Sequence, residues 1–166
     1  MDLKRIVRHL LTTRRQLART FPKAALAAIE QAIEASEKRH AGQLRFVVEA
    51  ALDTGPLFRG QSARERALEL FSHLRIWDTQ HNNGVLIYLL LADRDVEIIA
   101  DRGIHARVGT EQWEAVCRMM ESAFRRGDYA AGAIQGIDAV SRHLTRHFPA
   151  TGRAGENELP DTPLML

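Results

Sequence analysis

Asp93-Arg94-Asp95 joins two apolar stretches, VLIYLLLA and VEIIAD, and two more aspartates stand at similar junctions. Asp53 closes QLRFVVEAAL, and Asp128 follows FRRG. Carboxylates on loops suit a hard cation: Ca²⁺ takes six or more oxygen ligands, and Mg²⁺ also prefers oxygen. Asp53, Asp93, Asp95 and Asp128 are therefore candidate metal ligands if the fold gathers them at one edge. Each also has a local reason to be there, because Asp is favoured in turns and at helix N-caps.

Other reactive side chains point to less. His143 and His147 stand four apart in SRHLTRH, a spacing zinc accepts, but no Glu lies between them and no third ligand is evident. They read as one solvated helical face. His73 and His81 carry no pairing signature, and Asp101-Arg102 reads as an exposed ion pair. Cys117 lies on an apolar helical stripe and reads as a buried, inert thiol. No P-loop, nucleophile elbow or dinucleotide fingerprint occurs.

The elements that must hold these residues follow from hydrophobic period. Residues 3–18 and FPKAALAAIEQAIEASEKRH show helical spacing, with Pro22 in the first turn of the second helix. QLRFVVEAAL alternates as a strand, with Leu44, Phe46, Val48, Ala50 and Leu52 on one face. Ser62 and Glu65 have capping-box spacing and start a helix after the loop DTGPLFRGQ. Asn82-Asn83-Gly84 reads as a tight lead into VLIYLLLA, which is apolar on both faces, as a central strand should be. VEIIAD is its antiparallel return. Two helices follow, and Gly132 and Gly136 would let the last lie close on its neighbour. The order α-α-β-α-β-β-α-α predicts an α/β sandwich on a small mixed sheet.

A strand–helix–strand crossover makes the first two strands parallel. Their C-terminal ends then share one edge with the turn, which collects Asp53, Asp93, Arg94 and Asp95. The following helix returns Asp128 to that edge. The return strand carries Asp101 and His105 to the opposite edge, beside Asp78, Asn82 and Asn83.

Charge is unevenly placed. Residues 1–20 hold six Lys or Arg against Asp2, a net of +5, which leaves −3 for the rest of a chain whose total is +2. A basic arm on a mildly acidic body has three partners open to it: nucleic acid, an anionic membrane, or its own domain. No aromatic residue precedes Phe21, which argues against nucleic acid. The arm's apolar stripe is expected on the domain or a second subunit, with interfacial membrane binding the alternative. The start MDLKRIVRHLL has no unbroken apolar signal core, and the single cysteine excludes an intramolecular disulfide. Both favour a cytoplasmic address.

NNGVLIYLLLADRDVEIIADRGI and, after a helix, FRRGDYAAGAIQGIDAV resemble the TPM-domain family. The family is named for a thylakoid-lumen photosystem-repair protein and related membrane-associated proteins. The resemblance runs roughly from Phe46 to Val140. It implies a three-layer α/β sandwich, with calcium or another divalent ion at an acidic groove in some members. Weak acid-phosphatase activity and roles in assembling or repairing membrane complexes have been proposed for the family. The chain departs from the pattern at Asp101-Arg102-Gly103, where Gly-x-Gly is usual, and at HARVG, where an acid often follows.

The expected organisation is a helical arm over residues 1–40, packing on or extending from the domain. A TPM-like α/β domain over 41–149 and a disordered tail over 150–166 follow. The expected role is a non-enzymatic binding or assembly module with a protein partner, cation-dependent through Asp53, Asp93, Asp95 and Asp128 if Ca²⁺ or Mg²⁺ binds. A divalent-metal-dependent phosphatase, with Arg94 near the phosphate, and peripheral membrane attachment through residues 1–19 are the alternatives.

Overall fold

A computed structural model describes residues 2–150 and 157–166. Three helices lead the chain: α1 (Leu3–Leu11), α2 (Arg14–Thr20) and α3 (Lys23–Glu37). The strand β1 (Gln43–Glu49), the short α4 (Thr54–Phe58) and α5 (Ala63–His73) come next. The hairpin β2 (Gly84–Leu90) and β3 (Asp95–Ala100) precedes α6 (Arg102–Val108), α7 (Thr110–Arg125) and α8 (Tyr129–His147). The strand β4 (Leu164–Met165) closes the chain.

The sheet order is β3-β2-β1-β4. β1 and β2 are parallel, from Gln43 opposite Gly84 to Glu49 opposite Leu90, and β3 returns antiparallel to β2. Every residue of β1 and β2 is buried, so both faces need cover. On one face Phe46, Val48, Ile87 and Leu89 pack with Ile29 and Ile33 of α3, Trp113 and Met120 of α7, and Ile137 of α8. On the other, Val47, Leu86 and Tyr88 meet Ala63, Ala67 and Leu70 of α5. This is the expected three-layer α/β sandwich on a small mixed sheet.

The helix expected over 3–18 is broken at Thr12, where Thr13 and Gln16 form a capping box that starts α2, and two further helices were not anticipated. DTGPLFRGQ contains the one-turn α4, and HARVG lies within α6 and its cap. The tail is the clearer difference. Residues 151–156 lie outside the described residues, but 157–166 run as a strap along β1 rather than as disordered chain. The Gln43 side-chain oxygen accepts the N–H groups of Glu158 and Leu159, at 2.8 and 2.9 Å. Arg45 donates to the carbonyls of Pro160 and Thr162. Leu164 and Met165 then pair parallel with Val47 and Val48. The apolar end PLML is thus the cover for an otherwise bare sheet edge. The first 40 residues divide likewise, since α3 is built into the core layer against α8.

The motif glycines are where backbones touch. A Cβ on Gly84 would lie 2.0 Å from the Ile76 carbonyl oxygen, and one on Gly103 would lie 2.5 Å from the Asn82 carbonyl oxygen. Between them Asn82 takes φ 50°, and the fully buried Asn83 donates its backbone N–H to Thr79 Oγ1 and its side-chain amide to the Ala41 carbonyl. Gly136 sits against Met120, so the closeness of α7 and α8 is as expected.

Two outcomes follow. Gly84→Ala should lose about 3 kcal/mol in urea unfolding, because the atom it strikes is backbone and cannot rotate away. Gly55→Ala, whose nearest neighbour is the Arg59 guanidinium at 3.5 Å, should lose nothing. The strap carries a pH signature as well. Burial, with Asp161 beside it, pushes the Glu37 carboxyl from its ordinary 4.5 up to about 8, against one favourable bond from the Leu44 N–H. The folded chain therefore keeps a proton there that the unfolded chain releases. Stability is full below 4.5 and is lost as pH rises to about 8. Unfolding midpoints of wild type should fall between about pH 5 and about pH 9, and Glu37→Gln should flatten that fall.

Candidate functional site

The C-terminal ends of β1 and β2 and the hairpin turn meet at one edge, the place where open α/β sheets usually carry their sites. Arg94 holds φ 55° there, and its N–H donates to the Leu91 carbonyl at 3.1 Å, so Leu91 to Arg94 form a four-residue hairpin loop with a left-handed last residue. That geometry presents Asp93 to α1.

Asp93 is the hub of the edge. Arg5 Nε donates to its Oδ2 at 2.9 Å, and Arg5 Nη2 also reaches the Gln61 carbonyl at 2.8 Å. Arg8 Nη2 lies 3.2 Å and His9 Nε2 3.1 Å from Oδ1. The other ring nitrogen of His9 accepts the Leu52 N–H at 3.1 Å, which fixes the neutral tautomer with its proton on Nε2, facing Asp93. Burial works against the Asp93 charge, but the bonds from Arg5 and His9 outweigh it and hold the carboxyl below its usual range. Burial likewise holds His9 below its ordinary value, with the cations of Arg5 and Arg8 adding to the effect and Asp93 opposing it.

The arm therefore docks by its charged side. Ile6 and His9 are buried and Arg5 is half-buried, while Leu3, Val7, Leu10 and Leu11 are 72, 45, 57 and 69% exposed. Of the stripe expected on the domain or a second subunit, Ile6 and Leu17 are buried on the domain, but Leu3, Val7, Leu10 and Leu11 are not, because the carboxylate at the turn draws the arginine face inward.

The other predicted acids are spread along the edge. Asp95 adjoins Asp93, and burial with Glu97, Glu121 and Asp93 nearby pushes its carboxyl up to about 6. Asp128 precedes α8 without a side-chain cap bond and pairs instead with Arg126 at 3.3 Å. Asp53 precedes α4, also without a cap bond. Among the described residues no three His, Cys, Asp or Glu side chains come together as a metal site would require. Arg94 does face a cavity of about 570 Å³, with Arg8, Arg19 and Tyr129.

At the opposite edge Asp101 is buried and accepts the Arg102 N–H at 2.6 Å, starting α6. The exposed Asp101-Arg102 ion pair is thus replaced by a helix cap. His143 lies edge-on to Trp113, with ring centres 5.3 Å apart, and burial first lowers its pKa. Cys117 is held as a thiol, its pKa raised to about 12 by burial and by Glu97, Glu121 and Asp95.

Sequence reasoning missed a second cluster. Glu49, buried at the end of β1, accepts the Tyr88 hydroxyl at 2.8 Å and both Arg66 Nε and Nη2 at 2.9 and 3.0 Å. The available signal was a charged residue inside a strand covered on both faces, which must find a partner.

The motif stretches thus form one folded unit: Asn82 to Gly84 and Gly103 interlock at one edge, the hairpin reaches the other, and α7 and α8 pack through their glycines. The TPM domain family matches residues 15–143, most of the chain. The chain belongs to the TPM-domain family. The BA42 protein of the psychrophilic bacterium Bizionia argentinensis, solved by NMR, is 27% identical with a TM-score of 0.75, over 86% of this chain and 93% of that one. The N-terminal domain of a P. gingivalis protein shares the fold at 20% identity and a TM-score of 0.61, over 82% of this chain and 92% of its own. No curated protein matches the sequence. The family match begins at residue 15, so α1 and its contacts with Asp93 lie outside it.

Asp93→Ala should free α1 while leaving the domain folded. Loss of charge-assisted bonds worth about 2 kcal/mol predicts roughly thirtyfold faster amide exchange over residues 3–11. Acid should act the same way. The unfolded His9 takes up a proton near 6.5 and the docked one only below it, so stability of the docked arm falls as pH drops below 6.5. His9→Gln should remove that pH dependence from the exchange of residues 3–11.

Proposed function

We propose that this TPM-domain protein is a non-enzymatic binding module that sits on an anionic membrane surface through α1. The observation that carries the reading is a helix anchored by its charged side with its apolar side in water. At 3.6 residues per turn, Leu10, Leu3, Val7 and Leu11 span roughly 100° of the helix, and Lys4 and Arg8 follow on its flank. Exposed leucines gain on entering the acyl boundary, while lysine and arginine stay with acidic headgroups. Arg14, Arg15 and Arg19 continue the positive charge along α2. No helix among the described residues is long and apolar enough to cross a membrane. Attachment in this reading is therefore interfacial.

The divalent-cation reading rests on the loop aspartates at one sheet edge and on the family resemblance, and the phosphatase reading rests on the resemblance. They would require Asp93 to release Arg5 and His9, and Asp128 to release Arg126.

Co-sedimentation with phosphatidylglycerol-containing vesicles should pellet the full chain, and pure phosphatidylcholine vesicles should not. Val7→Glu with Leu11→Glu removes two insertable side chains worth about 1.5–3 kcal/mol each, so partitioning should drop by more than about tenfold. Both positions are exposed, so the fold should be unaffected. Equal partitioning of variant and wild type would reject the reading.

A further inference from the structure

The two outer edges of the sheet, at β3 and at β1, differ in their cover. On the far side of the sheet, the edge of β1 is covered by β4. Among the described residues β3 has no strand beyond it. The Val96 N–H points away from β2 and donates weakly to Glu121 Oε1 of α7 at 3.4 Å. In an antiparallel ladder, alternate residues face outward, so Val96, Ile98 and Ala100 turn their peptide groups to the outside. Among the described residues, no side chain or loop donates to the carbonyls of Val96 or Ile98 from that side.

A groove of about 520 Å³ runs along this edge. Arg64 and Leu68 of α5 form one wall, and Trp113, Cys117 and Glu121 of α7 form the other. Leu68 is among the few large apolar side chains left half-exposed, and the buried indole N–H of Trp113 has no described partner. The groove is short of positive charge. Arg64 is taken by Glu97 at 2.9 Å and Arg118 by Glu114 at 3.5 Å, while Asp95 has no ion-pair partner among the described residues. Burial, with Glu97, Glu121 and Asp93 close by, disfavours a negative charge on Asp95.

We propose that this groove takes an extended peptide segment of another protein, in which lysine or arginine alternates with apolar residues, as an added strand on β3. The peptide's N–H groups meet the outward carbonyls of Val96 and Ile98. Its apolar side chains lie between Leu68 and Trp113, and a cationic side chain answers Asp95, since Glu121 already has Arg125 at 3.9 Å. Strand addition to a bare sheet edge gives affinity through the main chain and selectivity through the flanking side chains. Among the described residues, the C-terminal strap lies on β1 and α1 lies on Asp93, both away from the β3 edge.

The test is an amide NMR titration of the full chain with a blocked Lys-Val-Lys-Val-Lys-Val peptide. Two controls go beside it: the same peptide with Glu for Lys, and one N-methylated at alternate valines. Saturable shifts at residues 95–100 and 113–121 are expected. N-methylation should weaken binding by about tenfold or more through two lost main-chain bonds. The Glu peptide should not bind. Leu68→Arg, at an exposed position that does not threaten the fold, and Asp95→Asn should each weaken the Lys-Val peptide. Three results would overturn the proposal: no saturable shift up to about 1 mM peptide, shifts confined to residues 3–20, or equal binding of the N-methylated peptide, which would mean attraction by charge alone.

Discussion

Burial of all fourteen residues of β1 and β2 is the constraint on which the rest of the molecule depends. A strand pair out of water on both faces cannot leave peptide groups unpaired, since each orphaned donor or acceptor costs about 1–3 kcal/mol. Helices must therefore lie on both sides, and further strands must cover both edges. The α5 layer, the α3–α7–α8 layer, β3 and even the two-residue β4 are answers to that one demand. Charged residues caught inside it are tolerated only as complete sets, as with Glu49, Tyr88 and Arg66.

The same demand separates the two ends of the sheet. Where β2 begins, Gly84 and Gly103 let loops pass at backbone contact distance, and Asn83 and Asp101 spend their side chains on main-chain groups. That end is a structural lock. Where β1 and β2 finish, the hairpin leaves Asp93 facing outward, and there the chain brings in Arg5, Arg8 and His9. The family signature thus covers both a packing device and a charge-bearing turn. The contacts of α1 are made on the turn but come from a segment before the matched residues.

The layer order, the parallel β1–β2 pair, the hairpin and the α7–α8 approach are legible in the sequence because each rests on hydrophobic period, on the crossover rule or on local glycine spacing. β4 is not, since two residues cannot display a period of two. The cation candidates were legible as residues and as an edge, but what surrounds them was not. Arg5 meets Asp93 across 88 positions, and no local pattern announces such a pair. The direction in which α1 faces was misread for a related reason. An apolar stripe normally turns inward, but here a partly buried carboxylate offers the opposite face more than the core offers the stripe.

The way α1 is held has a thermodynamic consequence. Ile6 is the one apolar residue of the helix that is buried, and the remainder of its attachment is ion pairs and hydrogen bonds. Releasing it exposes little apolar surface, so the step carries almost no heat-capacity change and is nearly flat with temperature. The domain beneath it, with its two apolar layers, melts along an ordinary curved stability profile. Warming and added salt therefore act on different parts of this molecule: heat dismantles the sandwich, and ionic strength lifts the arm from it.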